Sequence, residues 1–163
     1  MRAMYMATLG LLLGACNQFT ADSEPEVIRQ VNIPVTPDVS INEVMVAQID
    51  HAARFIWAAA NPDLPAADID WQEVEHHAIQ IVSSRSTLSM GGSGVNDAMW
   101  IVQQSWRDYV NQMNNGGLLA IRSARDNDVQ GLVRASEMLV QTCEGRHKQF
   151  KPSIPTEGYY RLR

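Results

Sequence analysis

Apolar residues recur at three- and four-residue spacing along most of the chain from Ser40 onward, which is the period of an amphipathic helix. Ser40 has Glu43 three positions later, the pattern of a capping box. We therefore predict a first helix from about Ser40 to Ala60, ended by Pro62 and Pro65. Its inward positions are Ile41, Val44, Met45, Ile49, Ala52, Ile56 and Ala59.

A second helix is predicted to begin near Asp68 or Asp70, where acidic residues favour the positive end of a helix. The pattern weakens from Ser83 to Met90, so the helix is expected to fade there. Residues 91–94 then read as a glycine-rich turn, without the following Lys-Ser/Thr of a phosphate-binding loop. The inward positions are Trp71, Val74, Ala78, Ile81 and Val82.

Two more helices complete the pattern. The third is predicted from about Asn96, with an interruption at the Asn-Asn-Gly-Gly run of residues 114–117. The fourth begins between Asp126 and Asp128 and is stopped by Pro152 and Pro155. No alternating strand pattern occurs, so the predicted fold class is all-α, an antiparallel four-helix bundle over residues 41–152.

The N-terminal 16 residues have the form of a bacterial export signal. One early Arg precedes an apolar run that is too short to span a bilayer and that ends on Leu13-Gly14-Ala15-Cys16. This ending resembles the lipobox of lipoproteins, in which the signal is cut before an acylated cysteine. A secretory signal with a chance Cys16 is the alternative. Asn17, where lipoproteins kept at the inner membrane carry an aspartate, favours the outer membrane.

Composition narrows the remaining choices. Residues 17–40, with several prolines and no regular period, are predicted to be a flexible tether, and residues 153–163 a C-terminal tail. The chain has 13 Lys and Arg against 18 Asp and Glu, a net charge of −5. With this mild acidic excess, the composition does not indicate the basic surface that binds nucleic acid. An anchored protein on the periplasmic side of the envelope is expected.

A cysteine and a histidine lie four residues apart near the end of the fourth helix, and so on one face of it. The segment Cys143-Glu144-Gly145-Arg146-His147 has the form of a c-type haem attachment site, Cys-x-x-Cys-His, with Arg146 in place of the second cysteine. Cys143 could form one thioether and His147 could bind iron. Arg146 cannot bond a vinyl group, but its guanidinium could pair with a haem propionate.

A second interpretation of the same residues needs no haem. A lone cysteine and a lone histidine on one helix face are often core filling and a surface or capping group. If Cys16 carries lipid, Cys143 has no intramolecular disulfide partner, and either a thioether or an inert buried thiol would account for it. The haem could then have been lost while the helical scaffold was kept.

Together these features resemble the cytochrome c′ and cytochrome c-556 family over roughly residues 41–152. The most specific match is Cys143-Glu144-Gly145-x-His147-Lys148-x-Phe150, and Asp70-Trp71 and residues 97–100 are similar to helix starts in that family. The resemblance implies haem c, with Cys143 as the covalent anchor, His147 as the proximal iron ligand and Met45 as a possible distal ligand. Core filling is the alternative role for Met45.

The resemblance also implies a function. A Met–His iron would suit electron transfer with a redox partner, and an open sixth position would suit a small gas such as nitric oxide. Dimers are common in the family, so the resemblance also allows a homodimer. No nucleophile–base pair indicates an enzyme. The alternative function is a haem-free bundle lipoprotein with a structural or interaction role at the envelope.

Other polar and aromatic residues have simpler interpretations. His51 with either His76 or His77 could form a zinc or copper site, but the adjacent pair cannot chelate one ion from the same helix face. Glu75 and Arg85 are expected on a solvated face. The four tryptophans are predicted to pack between helices or beside a haem; they are Trp57, Trp71, Trp100 and Trp106.

Overall fold

The first helical segment begins at the capping box that the sequence predicts. In the computed structural model, the Ser40 hydroxyl accepts a hydrogen bond from the Glu43 backbone nitrogen at 3.1 Å, and the Glu43 carboxylate accepts one from the Ser40 backbone nitrogen at 2.7 Å. Both halves of the box are therefore present. The structure describes residues 37–151, so the signal segment, Cys16, most of the tether and the C-terminal tail lie outside the described residues.

Every regular element within residues 37–151 is helical, which confirms the all-α class, and no strand occurs there. The first segment runs as α1 (Ile41–Val44), a π-helical stretch (Met45–Asp50) and α2 (His51–Ala59). A short 3₁₀ turn (Ala66–Asp68) precedes α3 (Trp71–Met90). The chain continues as α4 (Asp97–Ile101), α5 (Gln104–Asp126) and α6 (Val129–Phe150).

The second helix does not fade where the sequence suggested. The Asp70 side chain caps α3 by accepting from the Glu73 nitrogen at 3.0 Å, and the helix then continues without a break to Met90. Its last turns are held by the rest of the domain, because Leu88 is fully buried and its carbonyl accepts a hydrogen bond from Trp106 Nε1 at 3.0 Å. Tertiary contacts thus extend a helix whose local pattern weakens.

The prediction of an interruption at residues 114–117 is wrong. The helix breaks earlier, at Val102 and Gln103, and α5 is continuous through both glycines. Those glycines serve close packing: a Cβ on Gly116 would lie 3.0 Å from Leu139 Cδ2 of α6, and a Cβ on Gly117 would lie 2.9 Å from Val82 Cγ2 of α3. The close approach of α5 to two neighbours outweighs the low helix propensity of glycine.

The helices pack around one apolar core. α5 lies against both α3 and α6, and α2 contacts α3 and α6. Asn127, in the left-handed conformation with φ of 51°, forms with Asp128 the two-residue turn from α5 to α6. The largest fully buried apolar side chains are Trp106, Ile41, Ile56, Ile81, Leu88, Leu132, Leu139 and Val74. No helix in the described part of the chain is long and apolar enough to cross a membrane.

Candidate haem site

The last two turns of α6 bring the motif residues to the beginning of the first helical segment. Lys151, directly after α6, donates a hydrogen bond from Nζ to Asn42 Oδ1 in α1. Further along the first segment from Asn42, the Asp50 carboxylate is close enough to shift the pKa of Cys143, Arg146 and His147. The end of α6 therefore lies close to the first segment.

Met45 lies on the first segment between those two contacts. It is the first residue of the π-helical stretch and is only 6 % exposed. A π-helical turn inside an α-helix is rare and often occurs at a functional site. The structure therefore places Met45 in the core.

Arg146 and His147 are joined directly. Arg146 Nη2 lies 2.9 Å from His147 Nε2, and because a guanidinium can only donate, Nε2 is the acceptor and carries no proton. The imidazole is thus neutral with its proton on Nδ1. Burial, then the positive charges of Arg146 and Lys151, lower the pKa of His147, while Asp50 and a hydrogen bond with the Cys143 backbone raise it less.

The guanidinium of Arg146 is an unusual buried charge. The residue is only 7 % exposed, and no carboxylate between residues 37 and 151 lies within ion-pairing distance of it. Burial lowers its pKa, and the nearby Cys143 and Asp50 partly oppose this. A buried cation without a paired anion is costly, so this position would be stabilised by an anionic group.

Cys143 is a free thiol of low reactivity. Burial is the largest cause that raises its pKa, with smaller contributions from Asp50 and Glu144, and only Arg146 acts in the opposite direction. The protonated thiol therefore dominates at neutral pH, and a thiol is a poor nucleophile. This state is compatible with either interpretation of the sequence, a thioether anchor or an inert core cysteine.

An aromatic cluster borders the site, and only part of it was predicted from the sequence. Trp100 stacks on Trp106 with ring centroids 5.4 Å apart, and Phe150 meets the two rings edge-on at 6.0 and 5.1 Å. The ammonium of Lys151 lies 5.8 Å from the Trp100 ring centroid. Burial is the main cause that lowers the pKa of Lys151. Lys151 was missed because nothing in its own spacing points to Asn42 or Trp100.

Of the histidines predicted as zinc or copper ligands, the fold brings together His51 and His77. The rings of His51 and His77 are 5.3 Å apart, and His77 also packs on Phe55 at 4.3 Å. His77 Nε2 is 3.8 Å from a Glu73 oxygen, and its buried Nδ1 has no hydrogen-bond partner. No group of three or more His, Cys, Asp or Glu side chains in residues 37–151 could hold a metal ion.

The expected solvated face is present on α3. Glu75 forms an ion pair with Arg125 at 2.7 Å, and Arg85 donates to the Asn111 side chain at 3.0 Å. Both contacts join α3 to α5 across an exposed surface. Exposed pairs of this kind contribute little to stability.

The donor types at the end of α6 fit a haem iron. His147 has the neutral form that a ligand needs, with Nε2 unprotonated, and ligating histidines commonly hold their other nitrogen to a backbone carbonyl. Cys143 supplies one thiol four residues before it. The structure sets one condition: Arg146 has to release Nε2 before that atom can bind a metal.

Comparisons with known proteins provide no information about this site. No protein-family model matches the chain, and no curated protein or solved structure matches it significantly. The cytochrome c′ interpretation therefore depends on the motif at Cys143 to Phe150 and on the arrangement of the residues around it.

Proposed function

We propose that this chain is a haem-binding protein of the c-type cytochrome kind, built on an antiparallel four-helix bundle of the first segment, α3, α5 and α6. The bundle is supported by the two-residue turn between α5 and α6 and by the packing of α5 on α3 and α6. The hydrogen bond from Lys151 at the end of α6 to Asn42 at the start of α1 supports opposite directions for the first and last helices.

The observation that carries the haem proposal is the state of His147. Its Nε2 is unprotonated and accepts a hydrogen bond from Arg146, and the ring also forms a hydrogen bond with the Cys143 backbone. In the proposal His147 would be the proximal ligand, Cys143 would hold the haem by one thioether, and buried Met45 would be the candidate distal ligand. Bound haem would supply one-electron chemistry or a site for a small gas.

Arg146 has its own role in this proposal. When Nε2 is taken by iron, the guanidinium loses its only hydrogen-bond partner in the described residues and needs an anion. A haem propionate supplies a carboxylate that a planar guanidinium can bind with two hydrogen bonds. The residue that replaces the second attachment cysteine would then stabilise the bound group by charge.

A haem-free bundle is the second candidate, and the same arginine favours it. The guanidinium is buried and already satisfies His147 Nε2, so the end of α6 is closed without any added group. In that case the protein would have a structural or interaction role. Both candidates place it at the periplasmic side of the envelope, anchored through Cys16 to the outer or inner membrane, and neither is an enzyme. A redox partner and a homodimer belong to the first candidate.

An absorption spectrum separates the two candidates. The full chain is produced in a host with a working cytochrome c maturation system, next to the variants His147→Ala and Cys143→Ser. We expect a Soret band in the wild type, loss of that band in His147→Ala, and pigment in Cys143→Ser that acid acetone extracts. A colourless wild type that still unfolds cooperatively as a helical protein would favour the haem-free bundle.

A further inference from the structure

Large apolar side chains are exposed at the end of the domain where the chain enters it. Seven such side chains are exposed in the described residues, and five of them belong to this end: Val39, Met90, Val95, Met99 and Val102, which we call the apolar tip. Val95 is fully exposed and Val102 is 67 % exposed. Soluble monomers rarely expose apolar side chains in such a cluster unless the surface has a partner.

Hydrogen bonds tie Val39 of the apolar tip to the loop that carries Val95. The Val39 carbonyl accepts a hydrogen bond from the Ser93 nitrogen at 3.1 Å. The Asp97 carboxylate accepts from the Ile41 nitrogen at 2.8 Å and from the Gly94 nitrogen at 2.9 Å. The loop between α3 and α4 is thus tied to the residues that precede α1, and its apolar side chains point outward from a fixed backbone.

The exposed part of this loop carries no formal charge. From Met90 to Val102 the only charged residue is Asp97, which is 2 % exposed because its carboxylate is turned inward onto backbone nitrogens. An uncharged surface segment with four exposed apolar side chains, Met90, Val95, Met99 and Val102, is a poor match for water. It is a good match for the boundary between the headgroups and acyl chains of a bilayer.

The direction of the chain indicates which partner this surface meets. Residues 17–36 connect Cys16 to the described part, and the chain enters that part beside Val39, within the apolar tip. We propose that the apolar tip contacts the surface of the bilayer in which the acylated Cys16 is anchored. This rests on the lipid anchor of the proposed function and is independent of haem binding.

The anchor makes a weak contact sufficient. Attachment through Cys16 holds the tip at a high effective concentration near the lipid, so a few apolar side chains can keep it on the surface. The contact also fixes an orientation: Lys151 bonds Asn42 and lies near Trp100 of α4, so the end of α6 is at the same end of the domain as the tip. The candidate haem site would then face the membrane side.

An environment-sensitive dye tests the contact. The acylated full chain carries Val95→Cys labelled with a nitrobenzoxadiazole dye and is reconstituted in phosphatidylethanolamine–phosphatidylglycerol vesicles. The matched control is Ile79→Cys, an exposed apolar position in the middle of α3. Unsubstituted protein is treated in parallel to subtract any label on Cys143. We expect a blue shift and brighter emission at position 95 in vesicles relative to detergent, and no shift at position 79.

Three results would overturn the proposal. Equal spectra at positions 95 and 79 in vesicles would show that the tip does not meet the lipid. A shift at position 95 that grows with protein concentration in the absence of vesicles would assign the tip to a second copy of the chain. A mass spectrum without an acyl chain on Cys16 would remove the anchor and this proposal with it, while the absorption test of haem binding would stand unaffected.

Discussion

The guanidinium of Arg146 donates a hydrogen bond to His147 Nε2 at 2.9 Å, so the residue that departs from the haem motif engages the atom that would bind the iron. The two interpretations of this chain differ in what that contact becomes. If haem binds, His147 Nε2 would be free to hold the iron only after Arg146 released it, and Arg146 would then need an anionic partner. Without haem, the contact is permanent and closes the end of α6.

The neutral state of His147 predicts a loss of stability in acid. Its pKa is lowered in the folded protein, chiefly by burial, so the unfolded chain binds more protons than the folded one below about pH 6.5. The free energy of unfolding should therefore rise with pH through this window and fall as pH decreases. Urea unfolding between about pH 7.5 and 4.5 measures it.

The control for that experiment is His147→Asn, which keeps a polar side chain but cannot titrate. Other groups also change charge in acid, so the informative quantity is the difference between the two proteins. We expect the wild type to lose more stability than the variant over this range. Identical pH dependence would show that the imidazole is not held neutral by its surroundings.

Cys143 is predicted to react slowly with alkylating reagents in the folded protein. Burial raises the pKa of its thiol and keeps the thiolate scarce. Iodoacetamide should modify it at least about tenfold more slowly in native buffer than in denaturant, measured on haem-free protein with Cys16→Ser so that one thiol is counted. Equal rates in the two conditions would contradict a thiol that is shielded by the fold.

Gly117 is predicted to resist enlargement. A Cβ there would lie 2.9 Å from Val82 Cγ2 and 3.2 Å from Ile81 Cγ2, both on stiff β-branched side chains of α3. Gly117→Ala should therefore lower the free energy of unfolding by about 1–2 kcal/mol despite the better helix propensity of alanine. The control is Asn115→Ala on the exposed face of α5, which should be neutral or slightly stabilising. A stabilised Gly117→Ala would show that α5 and α3 can move apart freely.

Asp97 is predicted to hold the loop of the apolar tip in place. Its carboxylate accepts from the backbone nitrogens of Ile41 and Gly94, and both donors would lose their partner in Asp97→Ala. We expect a loss of about 2–3 kcal/mol, and a smaller loss in Asp97→Asn, which keeps one acceptor oxygen. Thermal and urea unfolding of the two variants check the order. Equal losses in both would mean that these hydrogen bonds contribute little.

Structural elements were predicted correctly wherever the contacts that determine them are local in sequence. The capping box at Ser40 and the cap at Asp70 involve residues three positions apart, and both are present. The apolar stripe likewise marked Met45 and Ile49 as inward positions, and both are buried. The all-helical class followed from the same spacing.

The wrong predictions concern positions where contacts with residues distant in sequence determine the structure. The glycines at 116 and 117 have poor helix propensity, but a Cβ at these positions would crowd Leu139 and Val82, and α5 stays continuous. α3 reaches Met90 because Trp106 holds the carbonyl of Leu88. Neither contact has a signature at the positions concerned.

The residues of the candidate site were predicted from the sequence, but the contacts between them were not. The spacing of Cys143 and His147 placed both near one helix face, yet the Arg146–His147 hydrogen bond and the Lys151–Asn42 contact depend on how α6 meets the first segment. The π-helical stretch at Met45–Asp50 also had no sequence signal. Adjacent side chains on a helix point about 100° apart, so their contact could not be expected from the sequence.

The most direct test of the haem proposal is a mass spectrum of the peptide that contains Cys143, from the full chain produced with a working cytochrome c maturation system. The account predicts a mass gain of one haem on Cys143, lost in Cys143→Ser, together with a Soret band that depends on His147. An unmodified peptide from a colourless and cooperatively folded protein would contradict the account and assign the domain to the haem-free bundle.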